Sequence, residues 1–280
     1  MKKSNTVLNR LFRNRLAIIG MLMVFTVFAC AIFASFIAPR DPNLMDLANS
    51  LLPVGSNQHV LGTDEFGRDL LSRLIYGARI SLTVAVFAVL MGGTIGTVLG
   101  LTAGYYGGKI EAVTMRIMDA LFAFPTVLLA ITLMTVLGQG LNNLILAISI
   151  VAIPGFARIV RGETLVIKNE EYIEVIRSLG ASDARIVFRH ILPNCVASIT
   201  VYASMCTAGA ILSEASLSFL GLGIQPPTAT WGTILRGGQE FLAVSPQIAT
   251  CSGLAILITV LGFNLFGDGL RDALDPKLKQ

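Results

Sequence analysis

Long uncharged apolar runs constrain this sequence more than any other feature. No charged residue occurs from Ala120 to Ala157, and Leu16 to Ala38 is a second uncharged run that ends at a proline. A helix needs about 20 mostly apolar residues to cross the hydrocarbon core of a bilayer. Charged residues make up only 14% of the chain, against about 25% in soluble domains. The sequence therefore predicts an all-α protein of the lipid bilayer and argues against disorder, nucleic-acid binding or a secreted disulfide scaffold.

Six membrane spans are predicted from these runs. The segment 138–143, Gly-Gln-Gly-Leu-Asn-Asn, divides the longest run because its residues favour turns. The uncharged segment 215–235 is rich in glycine and proline, and it is predicted to be re-entrant or interfacial. The predicted spans are Leu16–Ala38, Ile80 to near Gly104, 113–137, 142–160, Ile191–Ser213 and a stretch within Phe241–Gly267.

The positions of Lys and Arg predict how the chain is oriented. With the N-terminus inside, sixteen of the 21 basic residues fall in inner segments and five in outer segments. Cytoplasmic segments of membrane proteins are enriched in these residues. Both termini and the loop 158–193 are therefore predicted to be cytoplasmic, while 40–78 and 214–240 are predicted to face outward.

Metal, redox and nucleotide chemistry find little support in the sequence. The only Gly-Lys pair, at 108–109, is followed by Ile110, where a phosphate-binding loop requires Ser or Thr. The cysteines are far apart without a C-x-x-C pair, which is typical of small buried side chains. They are Cys30, Cys195, Cys206 and Cys251, and the two histidines are His59 and His190. We predict no catalytic residue, no metal site, no cofactor and no enzyme activity of this chain by itself.

The long inner loop 158–193 has the pattern of helix, tight turn, helix. Thr164 to Leu179 carries charged and apolar residues at helical spacing. Gly180 suits the left-handed position that ends a helix. Ser182 or Asp183 can cap a second helix, which is predicted to run as far as Pro193.

Several charged or aromatic residues lie close to the predicted spans. Asp119 follows Arg116 by three residues, so the two share a helix face. They either pair locally or mark a polar path through the membrane. Glu214, near the outer end of the fifth span, either borders such a path or hydrogen-bonds the glycine-rich segment. Trp231 is predicted to be an interfacial aromatic anchor.

The outer loop contains a charged cluster formed by Asp64, Arg68 and Asp69. The cluster either orders this loop or contacts an external protein.

Span two carries glycines at four-residue spacing, which is typical of close packing between membrane helices. They are Gly92, Gly96, Gly100 and Gly104, with Gly93 beside them.

The inner loop resembles the "EAA" loop of permeases from binding-protein-dependent ABC importers. The glutamate, glycine and Leu-Pro of that loop are matched, although Val175 and Ile176 stand where it has two alanines. The matching residues are Glu174, Gly180, Ala181, Leu192 and Pro193.

Three other segments resemble the dipeptide/oligopeptide/nickel family of these permeases, and more narrowly its C-type subunit. They are LGTDEFGRDLLSRLIYGARISL at 61–82, EASLSFLGLGIQPPTATWG at 214–232 and FNLFGDGLRDALDP at 263–276. Together with the inner loop, the resemblance covers nearly the whole chain.

The resemblance implies a type I ABC importer permease fold with six transmembrane helices and a cytoplasmic coupling helix. Residues 1–78 would form a cytoplasmic tail, the first span and the external loop. Residues 79–269 would form the permease core, and 270–280 a cytoplasmic tail. Contact with the ATPases is implied for Glu174, Arg177, Leu179, Gly180, Ala181, Ser182, Asp183, Leu192 and Pro193.

The family also implies partners and a role. The expected partners are a homologous second permease, two cytoplasmic ABC ATPases and an external or periplasmic binding protein, all at a bacterial inner membrane. The expected substrate is a di- or oligopeptide, with nickel, a metal chelate or glutathione as alternatives. A self-sufficient secondary transporter or channel is the alternative of a different class, and it would usually show inverted repeats. Asp119 and Glu214 are the candidates for the translocation path.

Overall fold

The computed structural model describes residues 11–12, 14–56 and 59–274, and over these ranges the chain is helical with no named strand. The basic residues before Leu11 and the tail beyond residue 274, both predicted to be cytoplasmic, lie outside the described residues. The helices are α1 Arg15–Ile32, α2 Ala34–Ile37, α3 Leu70–Tyr106, α4 Gly108–Phe122, α5 Thr126–Leu137, α6 Leu141–Ile167, α7 Glu171–Ser178, α8 Asp183–Ile186, α9 Leu192–Phe219, α10 Trp231–Glu240 and α11 Gln247–Leu274.

The predicted membrane architecture is confirmed. Five helical segments in the described chain are long and apolar enough to cross a bilayer: α1, α3, α6, the continuous stretch Asp183–Phe219 and α11. Helices α4 and α5 together pass the same test as a pair bent by 93°, and they make a sixth span if the bent pair is counted as one. The segment 215–235 supplies no span, because it contains the end of α9, an irregular stretch and the start of the short α10.

The third span was predicted as one helix over 113–137, and this is wrong in detail. Helix α4 ends at Phe122 and α5 begins at Thr126. Pro125 lies between them; it has no backbone N–H, and it disfavours helical geometry in the residue before it. The bend therefore has a local cause, a proline, which does not interrupt a run of uncharged residues.

The second span begins earlier than predicted. Helix α3 starts at Leu70 rather than Ile80 and contains 37 residues, which corresponds to about 55 Å. Arg73 and Arg79 lie within its first turns, and the predicted division between residues 78 and 79 falls inside it. The loop before α3, which was predicted to face outward, is correspondingly shorter than the sequence suggested.

Helices α3 and α6 form the most extensive helix contact in the described chain. A Cβ atom added at Gly92, Gly96 or Gly100 would lie 2.6 Å from a backbone carbonyl oxygen of α6. The oxygens belong to Ser149, Ile153 and Ala157 respectively, so the spacing of four residues recurs on both helices. The two helices run parallel at a separation that only glycine permits, which confirms the predicted packing role of these residues.

The bundle has two ends that carry the candidate sites. Helix α3 begins next to the loop that contains Asp64, and we call this the Asp64 end. It finishes at Tyr106 beside the segment around Gly180, which we call the Gly180 end. Helix α11 packs against α1, α9 and α10 and completes the bundle.

Candidate functional site

The segment at the Gly180 end forms a helix, a tight turn and a second helix, as predicted. Gly180 has φ of +83°, a left-handed conformation that glycine adopts without steric cost. Ser182 caps α8 by accepting a hydrogen bond from the backbone N–H of Arg185 at 3.4 Å. The first helix was predicted over Thr164–Leu179, which is wrong. Helix α6 ends at Ile167 and α7 begins only at Glu171.

Two isoleucines anchor this segment to the bundle. Ile173 on α7 and Ile186 on α8 are both 0% exposed. They belong to one apolar cluster with Leu101 of α3 and Val160 of α6. Burying such side chains contributes about 1.5–3 kcal/mol each, so α7 and α8 are fastened to the spans that precede them.

Polar contacts add a second attachment through Tyr105, near the end of α3. Its hydroxyl donates a hydrogen bond to Asp183 Oδ1 at 2.7 Å. The guanidinium carbon of Arg177 lies 5.8 Å from the centre of the Tyr105 ring, within the range of a cation–π contact. These contacts tie both sides of the turn to the same span.

Glu174 takes part in no ion pair in the described part of the chain. Glu174 is exposed, and its backbone carbonyl accepts a hydrogen bond from Ser178 Oγ at 3.0 Å. Tyr105, which sequence reasoning missed, provides a contact that orients the turn through its hydrogen bond to Asp183. The only sequence signal was its place at the end of a long apolar run.

The tip of the turn is exposed and partly apolar. Leu179 is 81% exposed, although it lies only six residues from the fully buried Ile173. Arg177 and Ser182 are exposed beside it, whereas Ala181 is half-buried and packs against the apolar cluster. The segment thus presents a protruding surface on a firmly packed base.

Leu192 and Pro193 were predicted to end the second helix, and this is wrong. Residues Val187–Ile191 form one π-helical turn, and the helix continues without a break from Asp183 to Phe219. The N–H of Leu192 bonds to the carbonyl oxygen of Val187, five residues back. This wider turn accommodates Pro193, whose ring would clash with a carbonyl in a regular α-helix.

Asp119 pairs with an arginine, but with a different one from that predicted. Its Oδ1 lies 2.6 Å from Arg158 Nη2 on α6, and not beside Arg116. Both side chains are about half exposed. The Arg158 guanidinium also lies 4.2 Å from the centre of the Phe122 ring. The pair therefore joins α4 to α6 across a partly open surface.

Glu214 is completely enclosed and holds several elements together. Its carboxylate accepts hydrogen bonds from Ser81 Oγ on α3 and from Ser218 Oγ on α9, both at 2.8 Å. Trp231, at the start of α10, donates its backbone N–H to the same Ser81 hydroxyl at 3.5 Å. With 0% of Glu214 exposed, this residue lines no open path in this conformation and hydrogen-bonds the glycine-rich region.

Trp231 is not the interfacial anchor that the sequence predicted. Its side chain is 2% exposed, and the indole N–H donates to the carbonyl oxygen of Leu74 at 3.1 Å. The hydrogen bond satisfies the indole N–H, and burial removes the apolar surface of the ring from solvent. The residue therefore fastens α10 to α3.

The charged cluster at the Asp64 end is buried. Asp64, Arg68 and Asp69 are each at most 4% exposed. Asp64 Oδ2 lies 2.7 Å from Arg68 Nε and 3.2 Å from Arg73 Nε. This geometry favours the prediction that the cluster orders the loop.

Asp69 links this cluster to the start of α3. It caps the helix by accepting a hydrogen bond from the Ser72 backbone N–H at 2.8 Å. Its other oxygen lies 2.8 Å from His59 Nδ1. Sequence reasoning missed His59, Ser72 and Arg73 as partners, although the Asp-x-x-Ser spacing is typical of a capped helix start.

Within residues 14–56 and 59–274, no group of three or more His, Cys, Asp or Glu side chains is placed to hold a metal ion.

Two family models match this chain. The model described as "Binding-protein-dependent transport system inner membrane component" matches residues 96–280, and "N-terminal TM domain of oligopeptide transport permease C" matches residues 5–53. The chain therefore belongs to the family of binding-protein-dependent transport system inner membrane components, which are multi-pass permeases of ABC importers and not catalytic enzymes. The resemblance stated from the sequence is confirmed.

Individual proteins that are similar to this chain include two curated relatives and one solved structure. The chain is 49% identical over 270 residues to the glutathione transport system permease protein GsiD of Pectobacterium atrosepticum, covering 96% of this chain and 90% of that protein. It is 52% identical over 271 residues to GsiD of Escherichia coli O1:K1, covering 96% and 89%. A solved chain of the MetNI methionine ABC transporter, in an inward-facing conformation, matches with a TM-score of 0.61 at 20% identity, covering 74% of this chain and 98% of that one. This last likeness confirms the type I importer permease fold.

Proposed function

We propose that this chain is one of two permease halves of an ATP-driven importer, and that it imports glutathione and other short peptides. The second half is a homologous permease, and two ABC ATPases dock on the Gly180 end. An external binding protein delivers the substrate at the Asp64 end. In this arrangement both termini and the loop 158–193 are cytoplasmic, as the positive charges favour.

One observation carries the coupling role: an exposed turn stands on a buried base. Transport requires the permease halves to move between two packings, and ATP can drive that motion only through contacts whose free energy differs between the two. A flexible loop would absorb the movement of a docked ATPase. The turn at Gly180 transmits it, because Ile173, Ile186 and the Tyr105–Asp183 hydrogen bond connect it to α3 and α6.

The residues of the turn divide into two roles. Leu179 and the exposed polar groups around it, including Glu174 and Arg177, contact the ATPase. Gly180 and Ser182 fix the shape of the turn. Helix α8 then passes the motion through the π turn and Pro193 into α9, since the helix is continuous.

The Asp119–Arg158 pair is the part of the described chain that we propose to face the translocation path. Its two side chains are about half exposed on the surface between α4 and α6. The enclosed Glu214 acts instead as a structural tie. The buried Asp64 cluster orders the external loop.

The substrate assignment is supported by the relatives of 49% and 52% identity, both of which are named glutathione transport permeases. Glutathione is itself a γ-linked tripeptide, so this assignment stays within the peptide class that the sequence predicted. Nickel and metal chelates are the alternatives that an uptake assay separates.

The experiment is reconstitution of the importer in proteoliposomes with its second permease, ATPases and binding protein. We expect ATP-dependent uptake of labelled glutathione, and none of labelled nickel, when all components are present. The purified chain alone should hydrolyse no ATP. Energised glutathione uptake by this chain alone would contradict the proposal, and uptake of nickel instead would contradict the substrate.

The orientation is tested separately by cysteine labelling in a cysteine-free background. A cysteine at position 183 should resist an impermeant reagent that is applied from outside intact cells. A cysteine at position 240 should react with the same reagent. The reverse pattern would refute the orientation.

A further inference from the structure

A cavity of about 650 Å³ opens at the Asp64 end. Small-molecule sites in proteins usually have volumes of about 300–1,000 Å³. The walls come from the loop before α3, the C-terminal end of α9 with the following irregular stretch, and α10. None of the coupling residues takes part, since they lie at the opposite end of α3.

The cavity contains a positioned cation. A Cβ atom added at Gly221 would overlap the guanidinium of Arg236, and Gly221 has φ of +81°. The guanidinium therefore occupies space that only a glycine leaves open. None of the ion pairs in the described chain includes Arg236, so its charge is available to a ligand.

Two carboxylates lie in the same cavity. Glu240 is one helical turn from Arg236 on α10, a spacing at which opposite charges often pair, yet these two do not. Glu65 reaches α10 from the external loop, where a Cβ atom added at Gly237 would lie 3.2 Å from its Oε1. Among the described residues, its one ionic neighbour is Arg68, at 3.5 Å.

We infer that this cavity is an entry subsite for a short zwitterionic peptide, with Arg236 binding a carboxylate of the substrate and Glu65 and Glu240 receiving its ammonium group. The inference rests on the proposed function and adds a recognition site to it. Charge-assisted pairing of guanidinium with carboxylate is strong and directional. Charges of both signs within one concave site match a peptide with free termini, whereas a bare metal ion would find only two carboxylates there, with a guanidinium beside them.

A photoreactive glutathione tests the site directly. A benzophenone joined to the cysteine sulfur leaves the ammonium and both carboxylates free. The assembled importer in nanodiscs, without binding protein, is irradiated with this probe below saturation, and labelled peptides are mapped. We expect labels in 65–66 and 218–241, and we expect excess glutathione to compete with the probe.

Three variants make the result specific. Arg236→Gln should reduce labelling roughly tenfold, because one charge-assisted bond is lost. Arg236→Lys should retain part of it. Gln239→Ala, on the same helix but outside the cavity, should label like the wild type.

Labelling outside the cavity, or labelling that Arg236→Gln does not change, would overturn the inference. So would weaker docking of the binding protein to Arg236→Gln with unaltered probe labelling, because the cavity would then serve the binding protein. Uptake of labelled glutathione by the wild-type importer is measured in parallel. Uptake reports on the proposed function and labelling reports on the site, so failure of one is distinguishable from failure of the other.

Discussion

The close packing of Gly92, Gly96 and Gly100 of α3 against α6 leads to a quantitative prediction for Gly96→Ala. The new Cβ would lie 2.6 Å from both Ile153 O and Phe156 Cβ, whereas ordinary carbon contacts are about 3.5–4.0 Å. The helices must therefore separate by roughly 1 Å, and overpacking of this kind costs about 1–3 kcal/mol. Alanine also has a higher helix propensity than glycine, by up to about 1 kcal/mol, and this partly offsets the cost.

A matched variant removes the effect of helix propensity. Gly162 lies on α6, is exposed, and has no atom within 4 Å of an added Cβ. Gly162→Ala should therefore be neutral or slightly stabilising. The free energy of unfolding of the two purified variants, measured by SDS titration in mixed micelles, should differ by about 2 kcal/mol. Equal stabilities would refute the close packing of α3 on α6.

Substitutions at three further residues test the contacts described above. Asp69→Ala removes the cap of α3 and should lower stability by about 1–2 kcal/mol; an unchanged thermal midpoint in detergent would contradict this. Tyr105→Phe keeps the ring beside Arg177 but loses the bond to Asp183, so ATP-driven uptake should fall roughly fivefold for a loss of about 1 kcal/mol, and undiminished uptake would exclude a coupling role. Glu214→Leu leaves two buried hydroxyls without their acceptor and should cost about 1–3 kcal/mol in SDS unfolding, whereas Glu214→Gln, which keeps one oxygen, should cost less.

The spans were predictable because the bilayer imposes a strong length and polarity requirement. The residues at which the spans begin and end were harder to predict. Charged residues were taken as span limits, and this placed the start of α3 at Ile80 instead of Leu70. Arg73 enters the helix because Asp64 and the carbonyl oxygen of Pro42 bind its guanidinium. These partners are distant in sequence or lie in irregular loops, so no periodic sequence pattern predicts the contacts.

In the candidate site too, local features were predictable from the sequence and long-range contacts were not. Gly180 and Ser182 were predictable from local rules of turn and cap geometry. The Tyr105–Asp183 bond spans 78 positions in sequence, and the pairing of Asp119 with Arg158 spans 39, so tertiary packing decided both. Trp231 was predicted from its residue type alone to lie at the membrane interface. It is buried instead, because its indole N–H has a buried acceptor in the carbonyl oxygen of Leu74.

The central claim is that the turn at Gly180 couples ATP hydrolysis to transport, and two substitutions at this residue test it most directly. No atom of this chain lies within 4 Å of an added Cβ, so within the chain the expected effect comes from the backbone conformation, and asparagine controls for the added side chain. Asparagine tolerates the left-handed region, whereas valine is strained there.

The measurement is ATP-driven uptake, together with the amount of co-purified ATPase, at matched expression and equal recovery of the second permease. We predict that Gly180→Asn remains close to the wild type. Gly180→Val should insert and pair normally but lose at least about tenfold in uptake, which is the effect of about 1.4 kcal/mol of backbone strain. Wild-type uptake by Gly180→Val would contradict the account.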